Sequence, residues 1–470
     1  MTLTHPLPAV QQPVAPASPG SPWPASARLA RHGELEIGGV GLAEAADRFG
    51  TPLYVLDEAE VRARCRAYRA ALPHAEVFYA AKAFLSSALA GWVAEEGLGL
   101  DVCSEGELRL ATAAGFPPER ILLHGNAKSP EELRLARRLR VGRIVLDNLA
   151  EIPRLASLST PDAPQRVLVR VVPGVSAGHH EAVRTGVVGQ KFGFALEGGP
   201  SGRGEPAGAG WQDGAGAPGG EAAEAVRRVL EQPGLVLAGL HCHLGSQIAS
   251  VDPYLTAVDR LVELLAAIRD RHGVQLPEVD LGGGHGVPYT PGEPGLDLAE
   301  FAARVPARLA EQCARRGLDT PRLLVEPGRA VTAPAGVAVY RVLTVKHTVG
   351  GHFFAAVDGG MSDNPRPALY DARYSVRLIG RASTAPTRPV DVVGRHCEAG
   401  DTLVRGAELP VDLRAGDLLA VPTAGAYQLS MASCYNLVGR PALVAVRDGR
   451  ARLLIRRETV EDFRLREIDG

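Results

Sequence analysis

The chain contains 470 residues, of which 46% are hydrophobic and 22% are charged, so it can bury at least one large core. A chain of this length usually forms about two or three domains. The formal net charge is -2, and the sequence contains no long basic block. These features argue against a nucleic-acid surface as the main function and favour small-molecule chemistry.

Cysteine usage and the N-terminal composition indicate the compartment. The six cysteines include no C-x-x-C pair and no dense cluster, so we expect reduced thiols in a cytoplasm rather than a disulfide framework or a zinc site. Residues 1–30 are rich in Pro, Ala and Ser and contain no continuous apolar stretch after a basic start. We therefore predict a disordered leader there, with neither a signal peptide nor a membrane span.

The segment that follows the leader has the composition of strands rather than of a linker. Gly33 to Val40 and Leu53 to Leu56 are both strand-like. We predict that residues 31–58 join a β domain before the chain enters the next domain.

From residue 77 to residue 329, short β-like runs alternate with longer amphipathic stretches such as Tyr254 to Arg269. Parallel strands need such helices for their crossovers, and eight β-α units make a (β/α)8, TIM-like barrel. We predict that this α/β barrel spans residues 59–333. The eight runs are Val77 to Ala81, Leu98 to Val102, Ile121 to Gly125, Arg143 to Asp147, Val167 to Val172, Val236 to Gly245, Val279 to Gly284 and Leu323 to Gly328.

Two regions depart from this alternation. Residues 198–224 are dominated by Gly, Ala and Pro, which predicts a surface loop insertion in the barrel. After Arg329 the sequence is β-rich with few convincing helices, in runs such as Val337 to Val349 and Ala442 to Ile455. We therefore predict a separate C-terminal all-β domain, a barrel or sandwich, over residues 334–470.

Polar residues follow several of the predicted barrel strands, at the end that carries the active site in this architecture. Lys82 follows the first run, and a lysine held in an apolar site loses part of its ammonium character and can form a Schiff base with an aldehyde. The alternative is a lysine that extends into solvent. Asp101 ends the second run and either holds Lys82 or caps a helix that begins near Glu105.

The sixth run contains two histidines, and the eighth run contains a glutamate and is followed by an arginine. His241 and His243 share one face of their strand, but no third ligand is evident in the sequence, so we predict no metal site. Glu326 and Arg329 lie three positions apart in a rigid turn and could form a surface ion pair instead of a site.

The seventh run ends in Gly282-Gly283-Gly284, whose backbone N–H groups could wrap a phosphate or could only form a tight turn. It is not a dinucleotide-binding fingerprint, because Pro288 and Tyr289 follow where that motif would begin its helix.

Together these residues match the chemistry of pyridoxal phosphate. Lys82 would form the imine, the glycines and Arg329 would bind the phosphate, and the histidine face would meet the ring. Glu326 would keep the ring nitrogen protonated, so that the ring accepts the electron pair released when a bond at the substrate α-carbon breaks.

The sequence resembles the alanine-racemase-like pyridoxal phosphate enzymes, in the group IV decarboxylase family, and within them is similar to the diaminopimelate decarboxylases. The resemblance extends from about Gly50 to Glu467. Six ordered motifs carry it: Phe78 to Ala83, His241 to Gln247, Glu326 to Arg329, Met361 to Pro367, His396 to Asp401 and Gly425 to Tyr427.

The resemblance implies a role for each matching residue. Lys82 would carry the cofactor, His241 would stack on its ring, Glu326 would meet its pyridine nitrogen, and Cys397 would donate a proton to the α-carbon after CO2 leaves. The implied cofactor-binding residues are Lys82, Asp101, His241, Gly245, Ser246, Gly283, Gly284, Glu326, Gly328, Arg329 and Tyr427. The implied substrate-binding residues are Arg329, Arg366, Tyr370, Glu398 and Tyr427.

The same resemblance implies the substrate and the assembly. Diaminopimelate carries both an ammonium and a carboxylate at its far end, whereas ornithine and lysine carry only an ammonium there, and Arg366 with Glu398 would supply both opposite charges. A homodimer is implied, in which the β domain of one subunit completes the site of its partner.

The resemblance thus implies decarboxylation of meso-2,6-diaminopimelate to L-lysine and CO2, the last step of lysine biosynthesis. The alternatives are a paralogous decarboxylase for another amino acid or a racemase on the same barrel, and the racemase is less favoured because Glu326 makes a strong electron sink. A non-catalytic cofactor-binding homologue would be expected to lose Lys82 or Cys397, and both are present.

Overall fold

The computed structural model describes residues 20–30, 33–175, 190–196 and 220–468. The chain divides into two compact units. The β unit comprises residues 1–64, 287–294 and 329–470, and the barrel unit comprises residues 65–286 and 295–328. Most of the predicted leader and residues 198–219 of the predicted insertion lie outside the described residues.

The described chain begins with a small antiparallel sheet in the β unit. Its three strands are β1 (Arg28–Leu29), β2 (Leu35–Ile37) and β3 (Val40–Gly41). Three further elements lead toward the barrel: helix α1 (Leu42–Phe49), the fully buried strand β4 (Leu53–Asp57) and helix α2 (Glu58–Ala71).

Eight parallel strands form the predicted closed barrel, so the eight-strand prediction is confirmed. Each strand pairs with its neighbours in chain order, and the last pairs with the first. A short strand, β10 (Phe194–Ala195), adds to β9 from outside this set. The barrel strands are β5 (Glu76–Ala80), β6 (Gly99–Val102), β7 (Ile121–Leu123), β8 (Arg143–Leu146), β9 (Gln165–Val172), β11 (Leu235–His241), β12 (Glu278–Asp280) and β13 (Arg322–Val325).

Amphipathic helices connect these strands, as crossovers between parallel strands require. Helix α5 shows how the sequence sets a boundary, because Ser129 and Glu132 form a reciprocal capping box and Pro130 occupies the first turn. The connecting helices are α3 (Ser87–Glu95), α4 (Glu105–Ala113), α5 (Pro130–Leu139), α6 (Glu151–Ala156), α7 (Gly220–Leu230), α8 (Asp252–His272) and α9 (Leu298–Arg315).

The interior of the barrel is layered. Its apolar layer consists of one side chain from each of six strands: Phe78, Leu122, Val145, Leu168, Ala238 and Leu324. At the amino ends of the strands, Arg143 bonds the buried Glu278 at 2.7 Å and Glu76 at 2.6 Å. The carboxyl ends carry a different polar layer, which is the candidate site.

The β unit contains a larger sheet, in the order β18-β17-β15-β14-β4-β20-β21, with β16 pairing β19 and β19 pairing β14. Strand β4 lies between β14 and β20, so the N-terminal segment is part of this sheet. The strands are β14 (Gly336–His347), β15 (Phe353–Val357), β16 (Arg377–Ile379), β17 (Thr387–Val393), β18 (Thr402–Pro410), β19 (Leu418–Pro422), β20 (Ala442–Arg447) and β21 (Arg450–Ile455), and the helices are α10 (Arg329–Thr332), α11 (Arg366–Tyr370) and α12 (Val460–Arg464).

Alternating apolar residues form the core of the β unit. Leu53 and Val55, Val337 and Val339, and Val444 and Val446 all belong to one buried cluster, as the two-residue period of a strand requires. The final β-like run of the sequence is a hairpin rather than one strand. Its turn, Asp448-Gly449, has positive φ at both residues, the conformation that Asp-Gly favours between antiparallel strands.

Within the described ranges, no helix combines the length and the hydropathy that a bilayer crossing requires.

Candidate active site

Histidine and carboxylate side chains lie close together where the barrel strands end. His124 follows β7, Glu326 follows β13 and His241 is the last residue of β11. Nε2 of His124 lies 2.6 Å from Oε1 of Glu326, and Nε2 of His241 lies 3.5 Å from the same oxygen. Nε2 of His124 is also 3.8 Å from the carboxylate of Asp101, which is the third residue of β6. The predicted clustering at this end of the barrel therefore holds for Asp101, His241 and Glu326.

Lys82 lies in a short 3-10 turn, Ala81–Ala83, directly after β5. Both alanines are buried, but Lys82 itself is exposed. The expectation that Lys82 is enclosed in an apolar site is therefore wrong, because only its neighbours Ala81 and Ala83 are buried. An exposed amine is accessible to an aldehyde.

The helix-capping alternative for Asp101 is wrong. Helix α4 begins after Ser104, whose hydroxyl accepts a hydrogen bond from the Glu107 N–H at 3.2 Å. Asp101 is buried instead, and burial and the charge of Glu326 raise its pKa well above the usual range while Lys82 opposes that rise. The alternative, that Asp101 holds Lys82, stays a prediction.

Glu326 is the ionised carboxylate of this cluster. Burial alone would raise the pKa of Glu326, but His124 and His241 lower it well below the usual range. Burial in turn lowers the pKa of His124 to about 3, so its imidazole is neutral and donates a hydrogen bond to the carboxylate. Asp280, which ends β12, has a pKa raised by burial and by the Glu326 charge. One negative charge is thus concentrated at Glu326.

The two histidines after the sixth predicted run have different surroundings. His241 packs edge-on against His124, with ring centroids 4.7 Å apart, and lies against Glu326. His243 is half-buried, and its Nδ1 accepts a hydrogen bond from the Gly283 N–H at 3.2 Å. Burial and the charge of Lys82 lower the pKa of His243. His243, not His241, is therefore the histidine that contacts the glycine loop.

The glycine loop requires glycine at three successive positions. Gly282 and Gly284 have φ of +66° and +91°, where other residues are strained. A Cβ at Gly283 would lie 2.2 Å from the Glu326 carbonyl oxygen, and a Cβ at Gly284 would lie 2.3 Å from the Gly245 carbonyl oxygen. The Tyr254 hydroxyl donates to the Gly283 carbonyl at 2.8 Å. This backbone is therefore both bare of side chains and fixed in place.

His124, His241 and Glu326 also have donor types that zinc accepts, and one ligand atom from each lies within 4.8 Å of the others. The sequence showed no third ligand for His241 because His124 follows a different strand. The same set suits a protonated aromatic nitrogen, since Glu326 is ionised and both imidazoles are neutral.

A second group of predicted residues lies in the β unit. The guanidinium of Arg329 lies 4.7 Å from the ring centroid of Tyr427 and 5.6 Å from that of Tyr289. The guanidinium of Arg366 lies 4.8 Å above the Tyr289 ring and donates to the Tyr374 hydroxyl at 2.6 Å. Both arginines are 7% exposed, so they are not surface residues.

The remaining predicted residues of the β unit are more accessible. Tyr370 ends helix α11 and is half-buried, whereas Cys397 and Glu398 are exposed. The preceding residue, His396, is buried and anchors this turn, since its ring nitrogens lie 2.8 Å from the Ser362 hydroxyl and 3.0 Å from the Asn436 side-chain oxygen.

Sequence reasoning missed several residues of these clusters. His124 could have been found by the rule that found Lys82, because it also follows a barrel strand. Tyr289 and Tyr374 carry no local signal, since each acquires its role only by contact with arginines distant in the chain.

Comparisons with known proteins agree with this arrangement. A family model described as pyridoxal-dependent decarboxylase, pyridoxal binding domain, matches residues 58–202 and 212–333. The chain is 54% identical to a diaminopimelate decarboxylase of Actinosynnema pretiosum subsp. auranticum over 100% of both chains. It is 45% identical to that of Mycobacterium bovis over 94% of this chain and 96% of the relative. A crystal structure of diaminopimelate decarboxylase from M. jannaschii in co-complex with L-lysine superposes with a TM-score of 0.84 at 28% identity, covering 95% of this chain and 98% of that one.

Proposed function

Because the chain belongs to the diaminopimelate decarboxylase family of pyridoxal-dependent decarboxylases, we propose that it converts meso-2,6-diaminopimelate to L-lysine and CO2, the last step of lysine biosynthesis. It is a carboxy-lyase, and its cofactor is pyridoxal 5'-phosphate. Each unit contributes a separate part of this proposal.

The residues of the barrel unit fit the cofactor. Bound pyridoxal phosphate supplies a ring that accepts the electron pair left at the substrate α-carbon. Lys82 is exposed and would offer its amine to the aldehyde, and the ionised Glu326 would hold a proton at the ring nitrogen. We assign ring stacking to His243 in preference to His241, because His243 contacts the glycine loop while His241 supports Glu326.

The bare backbone of the barrel unit suits the phosphate group. The Gly283 N–H already donates to His243, whereas Gly284 is half-buried and no Cβ covers its amide. The 245–248 segment is tied to this loop by hydrogen bonds from Ile248 N–H to the Gly284 carbonyl at 2.9 Å and from Gly286 N–H to the Ile248 carbonyl at 2.9 Å. Gly245 and Ser246 begin that segment, and Gly328 precedes Arg329. We propose that these residues of the barrel unit bind the phosphate. The sequence resemblance also implies a cofactor-binding role for Arg329 and Tyr427 of the β unit.

The observation that carries the substrate assignment is Arg366. Its guanidinium is buried and always charged, yet within the described ranges it has no carboxylate partner and contacts only the Tyr374 hydroxyl and the rings of Tyr289 and Tyr374. Burying a charge without a counter-charge is costly, so this group is suited to an anionic ligand. The distal carboxylate of diaminopimelate would provide the anion, and the exposed Glu398 would bind the distal ammonium, with Tyr370 as a further contact.

Cys397 is our candidate for the proton donor to the α-carbon after CO2 leaves. It is exposed in the single chain, while His396 fixes the turn that carries it. This exposure is consistent with a cytoplasmic homodimer in which Cys397 and Glu398 of one subunit serve the site of its partner.

Mixing two inactive variants tests the shared site. If Lys82→Ala and Cys397→Ala dimers exchange subunits at random, about a quarter of the sites contain both native residues, so activity should return to about that fraction of wild type. A mixture that exchanges subunits, as followed by native mass spectrometry, and stays inactive would exclude sharing.

The function itself is tested by following CO2 release and amino-acid products from purified protein supplied with pyridoxal phosphate. Meso-diaminopimelate, ornithine, lysine and arginine are supplied in parallel. The proposal predicts release of CO2 and L-lysine from diaminopimelate alone. Equal turnover of ornithine would contradict the role given to Arg366, and inactivity on all four with bound cofactor would favour a non-catalytic homologue.

A further inference from the structure

Tyr289 lies between the two arginines of the β unit and has no role in the function proposed so far. Its ring is 4% exposed. Its hydroxyl accepts a hydrogen bond from Nη1 of Arg329, and the face of its ring lies 4.8 Å from the guanidinium carbon of Arg366. One phenol therefore contacts both cations through two different parts of its surface.

We propose that Tyr289 is a positioning residue that sets the spacing between Arg329 and Arg366, and thereby the spacing of the anionic groups that the enzyme accepts. This inference rests on the proposed function, because it takes the anions that the two arginines bind to be the phosphate of the cofactor or the carboxylates of the substrate.

The surroundings of Tyr289 hold it firmly. Its backbone N–H donates to the Glu293 carboxylate at 2.9 Å, and its carbonyl accepts the Ser375 hydroxyl at 3.3 Å. The Tyr374 ring packs against it edge to face, with centroids 5.1 Å apart and planes at 88°. Both the backbone and the ring are thus constrained, so the hydroxyl and the ring face have fixed directions.

The electrostatics explain why a tyrosine suits this position. Two buried guanidinium groups repel each other, and a carboxylate placed between them would neutralise the charge that an anionic ligand needs. A tyrosine ring attracts one cation through its negative face, and its hydroxyl oxygen accepts a bond from the other. Tyr289 can therefore hold both arginines without cancelling either charge.

Three variants separate these contacts. Tyr289→Phe removes the bond to Arg329 but keeps the ring beneath Arg366. Tyr374→Phe is the matched control, because it removes the hydroxyl partner of Arg366 and leaves Arg329 untouched. Tyr289→Leu removes both contacts of Tyr289. Thermal unfolding of each variant identifies any that fail to fold.

The measured quantities are kcat and KM for diaminopimelate, the Kd of pyridoxal phosphate, and the Kd of L-lysine by calorimetry. L-lysine retains the carboxylate assigned to Arg366, so it reports on that arginine alone. We expect Tyr289→Phe to raise KM for the substrate, or Kd for the cofactor, by about tenfold, with a smaller change in kcat. A change in KM would indicate that Arg329 binds a substrate carboxylate, and a change in the cofactor Kd would indicate that it binds the phosphate. Tyr374→Phe should mainly weaken L-lysine binding, and Tyr289→Leu should affect both ligands.

A folded Tyr289→Phe enzyme with unchanged KM and unchanged cofactor Kd would overturn the inference. So would a Tyr289→Leu enzyme that binds L-lysine as wild type does. Failure of the proposed function is a separate outcome, because the wild-type enzyme would then release no CO2 from diaminopimelate.

Discussion

The carboxyl ends of the barrel strands and the arginine cluster of the β unit hold their charges in different ways. In the barrel unit, Glu326 is ionised because the neutral His124 donates a hydrogen bond to it and His241 lies beside it, so its charge depends on a shared proton. In the β unit, Arg329 and Arg366 carry permanent charges that rest against tyrosine rings. The first arrangement suits proton-dependent chemistry on a cofactor, and the second suits recognition of fixed anions.

Removing the amine of the barrel unit should have the largest effect. We expect Lys82→Ala to lower turnover at least about a thousandfold, because no other side chain replaces a covalent amine. Turnover and the absorbance of protein-bound cofactor provide the measurement. Lys346→Ala, an exposed lysine on β14, is the matched control and should behave as wild type. Full activity of Lys82→Ala would contradict the cofactor assignment.

Removing the charge of Glu326 should have the next largest effect. Glu326→Gln keeps the size of the side chain but loses the carboxylate that pairs with a protonated ring nitrogen, so we expect kcat to fall about a hundredfold. Glu278→Gln changes another buried glutamate at the opposite end of the strands and should lower stability rather than kcat. Equal kcat for Glu326→Gln and wild type would place the electron sink elsewhere.

The amino ends of the barrel strands should contribute stability without chemistry. Arg143→Met leaves Glu278 buried with fewer partners, so the free energy of unfolding should fall by about 3 kcal/mol in a urea titration. Arg322→Met is the comparison, because the Arg322 side chain is 60% exposed and its guanidinium lies 3.8 Å from Glu76, so the change should alter stability by less than about 1 kcal/mol. Similar losses for both variants would show that the buried ion pairs of Arg143 stabilise the barrel no more than an exposed ion pair does.

The smallest expected effect is on the pH dependence of the stability of the barrel unit. Burial lowers the pKa of His285 from 6.5 to about 3, so between these values the unfolded chain binds one more proton than the folded chain. The free energy of unfolding therefore falls as pH decreases below about 6.5, by about 1.4 kcal/mol per pH unit, because the unfolded chain gains a proton that the buried His285 does not.

His285→Phe should remove that dependence while keeping an aromatic ring beside Tyr254 and Phe301. Tyr68→Phe removes the same 2.8 Å contact with His285 but keeps the imidazole, so its pH slope should match wild type. The measurement is urea unfolding at several pH values from 6 to 4, and identical slopes for His285→Phe and wild type would contradict the prediction.

Local patterns were sufficient for much of the fold. Each barrel strand overlaps one of the short β-like runs that alternate with amphipathic stretches, so all eight could be located from sequence. The Asp448-Gly449 turn was missed because both flanking segments are strand-like and together resemble a single run, although the dipeptide itself signals a hairpin.

The site was less predictable because its contacts join distant parts of the chain. Lys82 and Glu326 were found from their places after strands, but exposure of Lys82 depends on the turn that carries it. The distinction between His241 and His243 depends on which one reaches the glycine loop, and strand alternation places both on one face. The bridging position of Tyr289 depends on tertiary packing alone.

The division of labour between the two units is tested most directly by measuring the cofactor Kd and the substrate KM side by side for Glu326→Gln and Arg366→Met. The account predicts that Glu326→Gln changes cofactor absorbance and kcat with little change in KM, whereas Arg366→Met raises KM for diaminopimelate about a hundredfold with unchanged cofactor Kd. If Arg366→Met instead weakened cofactor binding and left KM unchanged, the assignment of substrate recognition to the β unit would be contradicted.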